Sequence, residues 1–120
     1  MTWKNIKIAK NPNTDKETLH KLTSSKSANV KFLIATNPNT SAETLDILAK
    51  DKDEKIRWWV SQSPNTSAET LKLLATDEDV GVRIKVASNP NTPTENLKIL
   101  LNDDNRFVWS HSKQNLLTKV

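Results

Sequence analysis

The side chains able to do chemistry in this chain fall into four groups, and three of them carry structural signatures. Glutamates stand at Glu17, Glu43, Glu69 and Glu95, each preceded by three residues by a threonine: Thr14, Thr40, Thr66 and Thr92. A catalytic carboxylate is a single group tuned for its task, so four copies at one spacing point to helix capping. Aspartates gather around residues 51–53, 77–79 and 103–104. They lack the ligand number and the glycine of a calcium loop, and helix N-termini attract acids in any case. His20 and His111 lie far apart, without metal-ligand spacing. The absence of cysteine removes disulfides, thiolate metal sites, iron–sulfur ligation and thiol catalysis. One glycine in 120 residues leaves no phosphate-cradling loop and no nucleophile elbow. The expectation is a protein that is not an enzyme and carries no metal and no cofactor.

The fourth group is less uniform. The segments 3–10, 28–36, 54–62, 80–88 and 106–114 carry ten cations: Lys4, Lys7, Lys10, Lys31, Lys55, Arg57, Arg83, Lys85, Arg106 and Lys113. One acid, Glu54, stands against them, while the remaining thirteen acids fall elsewhere with eight lysines. Such segregation makes one face positive, as phosphate backbones require. A structural explanation competes for two of these cations. Asp53 with Arg57 and Asp79 with Arg83 are i, i+4 pairs, each worth about 0.3–0.5 kcal/mol to a helix. Two tryptophans stand at 58 and 59, and a third, Trp109, further on.

These residues are positioned by a repeat. Asn-Pro-Asn-Thr occurs at 11–14, 37–40 and 89–92, and Ser-Pro-Asn-Thr at 63–66, each copy starting 26 residues after the last. A fifth beat at 115–118, Asn115-Leu116-Leu117-Thr118, has lost the proline. A fixed period of this size marks a stacked-repeat architecture. The chain divides into a half-repeat at 1–10, full repeats at 11–36, 37–62, 63–88 and 89–114, and a cap at 115–120.

Each repeat holds two helices. The residue before a proline leaves the α region, so Asn11, Asn37, Ser63 and Asn89 end what precedes them. Thr14, Thr40, Thr66 and Thr92 then read as N-caps with glutamate at N3, and Pro93 as an N1 proline. Leu19/Leu22, Leu45/Leu48, Leu71/Leu74 and Leu97/Leu100, joined by Ile47, Leu73 and Ile99, give a short amphipathic helix of roughly 9–11 residues. Ser27, Asp53, Asp79 and Asn105 cap a second helix. Its core pairs are Val30/Ile34, Ile56/Val60 and Val82/Val86, followed by the small Ala35, Ser61 and Ala87. In the last copy Val108, Ser110, Ser112 and Lys113 turn this face polar, as a terminal cap facing water requires.

No run of about 18 apolar residues exists, and the first residues, from Met1 to Lys7, are too polar for a signal peptide. The expectation is a cytoplasmic protein with no membrane contact, a monomer in preference to an oligomer.

The phrase Asn-Pro-Asn-Thr, Leu-x-x-Leu-Ala, Asp, Val-Arg-x-x-Val-Ala, Asn-Pro resembles the leucine-rich repeat variant family. It is clearest at Leu71, Leu74, Ala75, Asp77, Val82, Arg83, Val86, Ala87, Asn89 and Pro90. The resemblance implies a superhelix of alternating α and 3₁₀ helices, akin in shape to HEAT and armadillo arrays. It implies no single activity. The expected fold is therefore all-α, a right-handed helical solenoid of about four and a half repeats, with the 3₁₀ member of each repeat left open.

A stripe at i, i+4, i+7 of the second helices varies freely between copies: Trp3/Lys7/Lys10, Asn29/Leu33/Thr36, Lys55/Trp59/Gln62, Gly81/Lys85/Ser88 and Phe107/His111/Gln114. Positions released from the framework are where a repeat array writes its binding surface. Trp58 overlays Ile6, Phe32 and Ile84 and is expected in the core, whereas Trp59 overlays Lys7, Leu33, Lys85 and His111 and is expected in solvent. The first functional expectation is a non-enzymatic scaffold binding a protein partner through Leu33, Arg57, Trp59, Lys85 and Trp109. The alternative is a nucleic-acid-binding array with Lys31, Lys55, Arg57, Arg83, Lys85 and Arg106 on phosphates and the tryptophans stacking on bases.

Overall fold

A computed structural model describes residues 2–120, and among them there are nine α-helices and no strand. Met1, the start of the expected half-repeat and of the polar leader, lies outside the described residues. In chain order the helices are α1 (Thr2–Lys10), α2 (Lys16–Lys21), α3 (Ala28–Thr36), α4 (Ala42–Leu48), α5 (Glu54–Gln62), α6 (Ala68–Leu74), α7 (Val80–Ser88), α8 (Thr94–Leu100) and α9 (Arg106–Leu117). Even-numbered helices are short and odd-numbered ones longer. The long helices pack each on the next, α1 on α3 through to α7 on α9, while successive short helices touch one another far less. The molecule measures 45 × 25 × 17 Å.

Both helices of each repeat are α-helical, so the α/3₁₀ alternation implied by the family resemblance does not hold. The one 3₁₀ stretch described is Leu22–Ser24, at the end of α2. The short helices keep i→i−4 bonds from their first turn, with the Leu45 amide donating to Ser41 O and the Leu71 amide to Ser67 O. They run six or seven residues, fewer than expected, because they begin one residue later than the threonines predict and end by Lys21, Leu48, Leu74 and Leu100. The N-caps are Asp15, Ser41 and Ser67, whose side chains accept from the amides of Thr18, Thr44 and Thr70. Pro93 takes the N-cap position of α8, not N1, with its carbonyl accepting from the Asn96 and Leu97 amides. The glutamates consequently sit at N2, where they face the helix dipole without closing a capping box.

The threonines have a different task. The hydroxyls of Thr14, Thr40, Thr66 and Thr92 donate to the carbonyls of Ile8, Ile34, Val60 and Val86 at 2.5–2.6 Å. Each thus adds a second donor to a last-turn carbonyl of the preceding long helix, which also accepts from the amide of Asn11, Asn37, Ser63 or Asn89 just past the helix end. The asparagines complete the loop. Asn37 donates from Nδ2 to Ala9 O and Asn11 O, Asn89 to Ser61 O and Ser63 O, and Asn115 to Ala87 O and Asn89 O. Their Oδ1 atoms at 37 and 89 accept from the amides of Asn39 and Asn91, and those residues reach back one repeat in turn. Ser63 stands where this ladder would need a further asparagine.

The core follows the apolar spacing. Leu19, Leu45, Leu71 and Leu97 from the short helices meet Val30, Ile34, Ile56, Val60, Val82, Val86 and Val108 from the long ones, all buried. Ala35, Ser61 and Ala87 are buried as well, and their small size lets successive long helices approach. Ile47, Leu73 and Ile99 do not join this face: all three are exposed, since a seven-residue helix turns only a narrow stripe inward. The expected polar end also differs. Ser112 is fully buried, and its hydroxyl donates to Leu97 O at 2.5 Å. Without a proline at the fifth beat, α9 continues through Asn115 to Leu117 and packs on both α7 and α8.

Candidate partner-binding face

The long helices decide where each cation points. On α5, Ile56, Val60 and Ser61 face the core. At about 100° per residue, Lys55 and Gln62 then fall on the opposite side, with Trp58 and Trp59 flanking them towards the two neighbouring helices. The side chain of Arg57 leaves towards the next repeat.

Arg57 does not pair with Asp53. Its Nε and Nη2 donate to the two carboxylate oxygens of Asp77 at 2.8 and 3.2 Å, and its Nη1 to Asp51 O. Arg83 repeats this with Asp103 and Asp77 O, and Lys31 donates to Asp51 at 3.0 Å. The i, i+4 pairs expected from sequence are therefore replaced by pairs 20 residues apart, because Asp53 and Asp79 are occupied as N-caps. The Arg57 and Asp77 side chains are only 11% and 8% exposed. A bidentate pair in such surroundings holds its geometry, and hydrogen bonding to Asp77 keeps the Arg57 guanidinium even more firmly protonated than usual. Burial alone would push the Asp51 carboxyl up, but the Asp53 amide and the Lys31 ammonium outweigh it and hold it below the ordinary carboxylate value. Lys31, Arg57 and Arg83 thus bind the molecule to itself.

What remains open is an aromatic cluster between α3, α5 and α7. Trp59 lies edge-on to Phe32 with ring centroids 5.4 Å apart, and to Trp58 at 4.9 Å. Lys85 Nζ sits 4.9 Å from the centroid of the Trp58 ring. These rings shape a hollow of about 300 Å³ bounded by Phe32, Trp58, Trp59, Glu54, Lys55 and Asp79. On its other side Trp59 walls a second hollow of about 220 Å³ with Thr36, Pro38, Gln62 and Ser63. An equivalent hollow of about 380 Å³ recurs between α7 and α9, where Ser88, Pro90, His111 and Gln114 take the places of Thr36, Pro38, Trp59 and Gln62.

Two assignments change. Trp58 is half-buried at the seam rather than in the core, and Phe32, in the same row, is exposed. Trp59 is half-buried rather than free in solvent, because it closes against Phe32. Of the other candidates, Leu33 is half-buried against the core, Lys55 is exposed, and Lys85 is half-buried. Arg106 is exposed, over the ring of Phe107 at 5.6 Å. Trp109 is 41% exposed in the row of Lys31, Arg57 and Arg83 and lies on α9, away from the α3–α5–α7 cluster. Trp59 and Lys85 are thus brought to one place with Lys55, and Trp109 is not.

By sequence, Gly81 stands in the variable stripe without a reason for a glycine there. A Cβ there would lie 3.4 Å from Trp58 Cδ1 and 3.1 Å from Asp79 Oδ2. The tighter of these contacts is with the N-capping carboxylate of Asp79, while Trp58 would meet the added carbon at ordinary van der Waals distance. The position's signal was present in the sequence, as a solitary glycine inside a helix that alanine would stabilise by about 1 kcal/mol. His20 is exposed, and its Nδ1 shares a 2.8 Å hydrogen bond with Thr44 Oγ1 of the following repeat. Among the described residues no group of three His, Cys, Asp or Glu side chains is disposed to hold a metal ion, and no helix is long and apolar enough to cross a membrane.

Comparison with family models, with curated proteins and with solved structures finds no match to this chain.

Proposed function

We propose that this chain is a non-enzymatic scaffold of the leucine-rich repeat variant type, a right-handed helical solenoid that binds a protein partner along the open face of its long helices. The observation that carries this reading is the cluster of Phe32, Trp58 and Trp59, half-open to solvent and flanked by Lys55 and Lys85, which join no ion pair among the described residues. Aromatic rings are enriched at the centre of protein interfaces, and charged groups such as these lysines suit the polar rim around it. The closer packing of long helices than of short ones supports a curved array with this face on its inner side.

Nucleic-acid binding is the less favoured use of the same face. Three of its six phosphate candidates, Lys31, Arg57 and Arg83, are engaged in inter-repeat pairs, which leaves Lys55, Lys85 and Arg106.

The test compares cross-linked partners of the wild-type chain with those of a Trp59→Ala/Lys85→Ala double variant, with and without nuclease. A protein partner lost in the variant and indifferent to nuclease is expected. Equal capture by both chains would remove this face from consideration. Capture abolished by nuclease, with affinity falling at least tenfold between about 50 and 200 mM salt, would establish the nucleic-acid alternative.

A further inference from the structure

We infer that the partner segment is an extended peptide with three residues per turn, bearing an acidic side chain, read one side chain per inter-repeat seam. This rests on the scaffold reading above and gives it a ligand class. One register position of successive long helices holds Leu33, Trp59, Lys85 and His111, one per repeat. Trp59 and His111 wall equivalent hollows, each rimmed by a loop proline, and Lys85 lies over the Trp58 ring at the seam between them.

Packed helix axes lie about 8–10 Å apart. A polyproline II segment rises about 3.1 Å per residue with three residues per turn, so it returns the same face to the array about every 9.3 Å. The two periods agree. A β-strand alternates its faces every two residues and would fall out of step after one seam. The helix-in-groove mode is poorly matched too, because a helix of about 1.5 Å rise puts some six residues between seams.

Chemistry then assigns the order of side chains. Leu33 is half-buried and apolar, and takes an aliphatic residue. Trp59, with Pro38 and Pro64 beside it, offers the flat apolar wall that a proline ring fills. Lys85 is the unpaired cation of the series and takes a carboxylate. The ligand therefore reads aliphatic, x, x, proline, x, x, acid along the direction from α3 to α7. The like-signed Lys7, Lys10 and Lys55 on the same face disfavour a basic segment in its place.

The experiment uses tryptophan fluorescence of the full chain titrated with synthetic peptides of about twelve residues. They carry Leu, Pro and Glu at every third position in a Ser/Gln background, in both chain orders, and a control spaces the same residues by four. One chain order of the period-three peptide is expected to bind at least tenfold more tightly than the control. Lys85→Glu is expected to reverse the preference, weakening the Glu peptide and strengthening its Lys counterpart by at least tenfold each. Circular dichroism checks that the variant is folded. Equal binding of the two spacings, or a Lys85→Glu variant that weakens both peptides alike, would overturn the inference. If no peptide binds while a cross-linked partner still depends on Trp59 and Lys85, the extended-peptide inference fails and the scaffold reading survives. Loss of both results would end both.

Discussion

At the loop edge, Asn37, Asn89 and Asn115 are each buried, and each donates two hydrogen bonds to backbone carbonyls one repeat earlier. On the open face of the long helices, Lys55 and Lys85 join no ion pair among the described residues, and their positions hold other residue types in the neighbouring repeats. Both surfaces are polar and both carry cations or amides able to bind a ligand. The difference is that the buried asparagine amides of the first are answered by backbone carbonyls of the chain itself. A buried amide that loses its partners costs free energy, so those positions vary little, and among 37, 63, 89 and 115 only Ser63 departs from asparagine. An exposed ammonium is answered by water, and its row is free to read Lys7, Leu33, Trp59, Lys85 and His111. The inter-repeat pairs of Lys31, Arg57 and Arg83 belong with the asparagines, however basic they look in sequence.

The comparison breaks most visibly at Asn89. Asn89→Ala leaves the carbonyls of Ser61 and Ser63 without their side-chain donor and removes the acceptor of the Asn91 amide. A loss of about 2–3 kcal/mol in urea unfolding is expected. A loss no larger than that of Lys55→Ala would mean the ladder is not the structural edge described.

Ser63 sharpens the same contrast from the other side. Ser63→Asn supplies the missing rung between the second and third copies of the motif and should stabilise the fold by about 1 kcal/mol. Its longer side chain also enters the hollow walled by Trp59. Thermal melting should therefore rise while affinity for a ligand at Trp59 falls, and a variant that gains stability with affinity untouched would separate the two surfaces completely.

The smallest effect is electrostatic. The folded-state pKa of Asp51 is depressed, so its contribution is complete above the ordinary carboxylate value of 3.8 and is lost as pH falls through the lower folded value. In Lys31→Met the opposing ammonium is gone while burial remains, so the folded-state value moves back towards 3.8 and the acid-side loss becomes smaller, with its onset unchanged because the unfolded chain sets it. Urea midpoints across about pH 5 to 2 compare the two chains. Coincident profiles would show that Lys31 does not hold Asp51 in solution.

The sequence by itself determined where the helices fall and which leucine and valine/isoleucine rows form the centre of the core, because helix geometry acts within a few residues; the edges of that core, at Ile47, Leu73, Ile99, Trp58, Trp59 and Ser112, it did not. The spacing of Val30/Ile34 or Leu71/Leu74, a proline, and an N-cap residue type suffice for the former. It also marked the Trp59 and Lys85 row as variable. Only the tertiary structure decided the partners of the polar residues. Arg57 had Asp53 four residues away and chose Asp77 twenty away, and Thr40 turned back to Ile34 instead of forward to its helix. Those choices depend on how far one repeat is displaced against the next, a distance fixed by the small side chains at Ala35, Ser61 and Ala87 together with the whole packed core. The same displacement brings Phe32 of one repeat to Trp59 of the next, a contact between rows that no spacing within a single repeat defines.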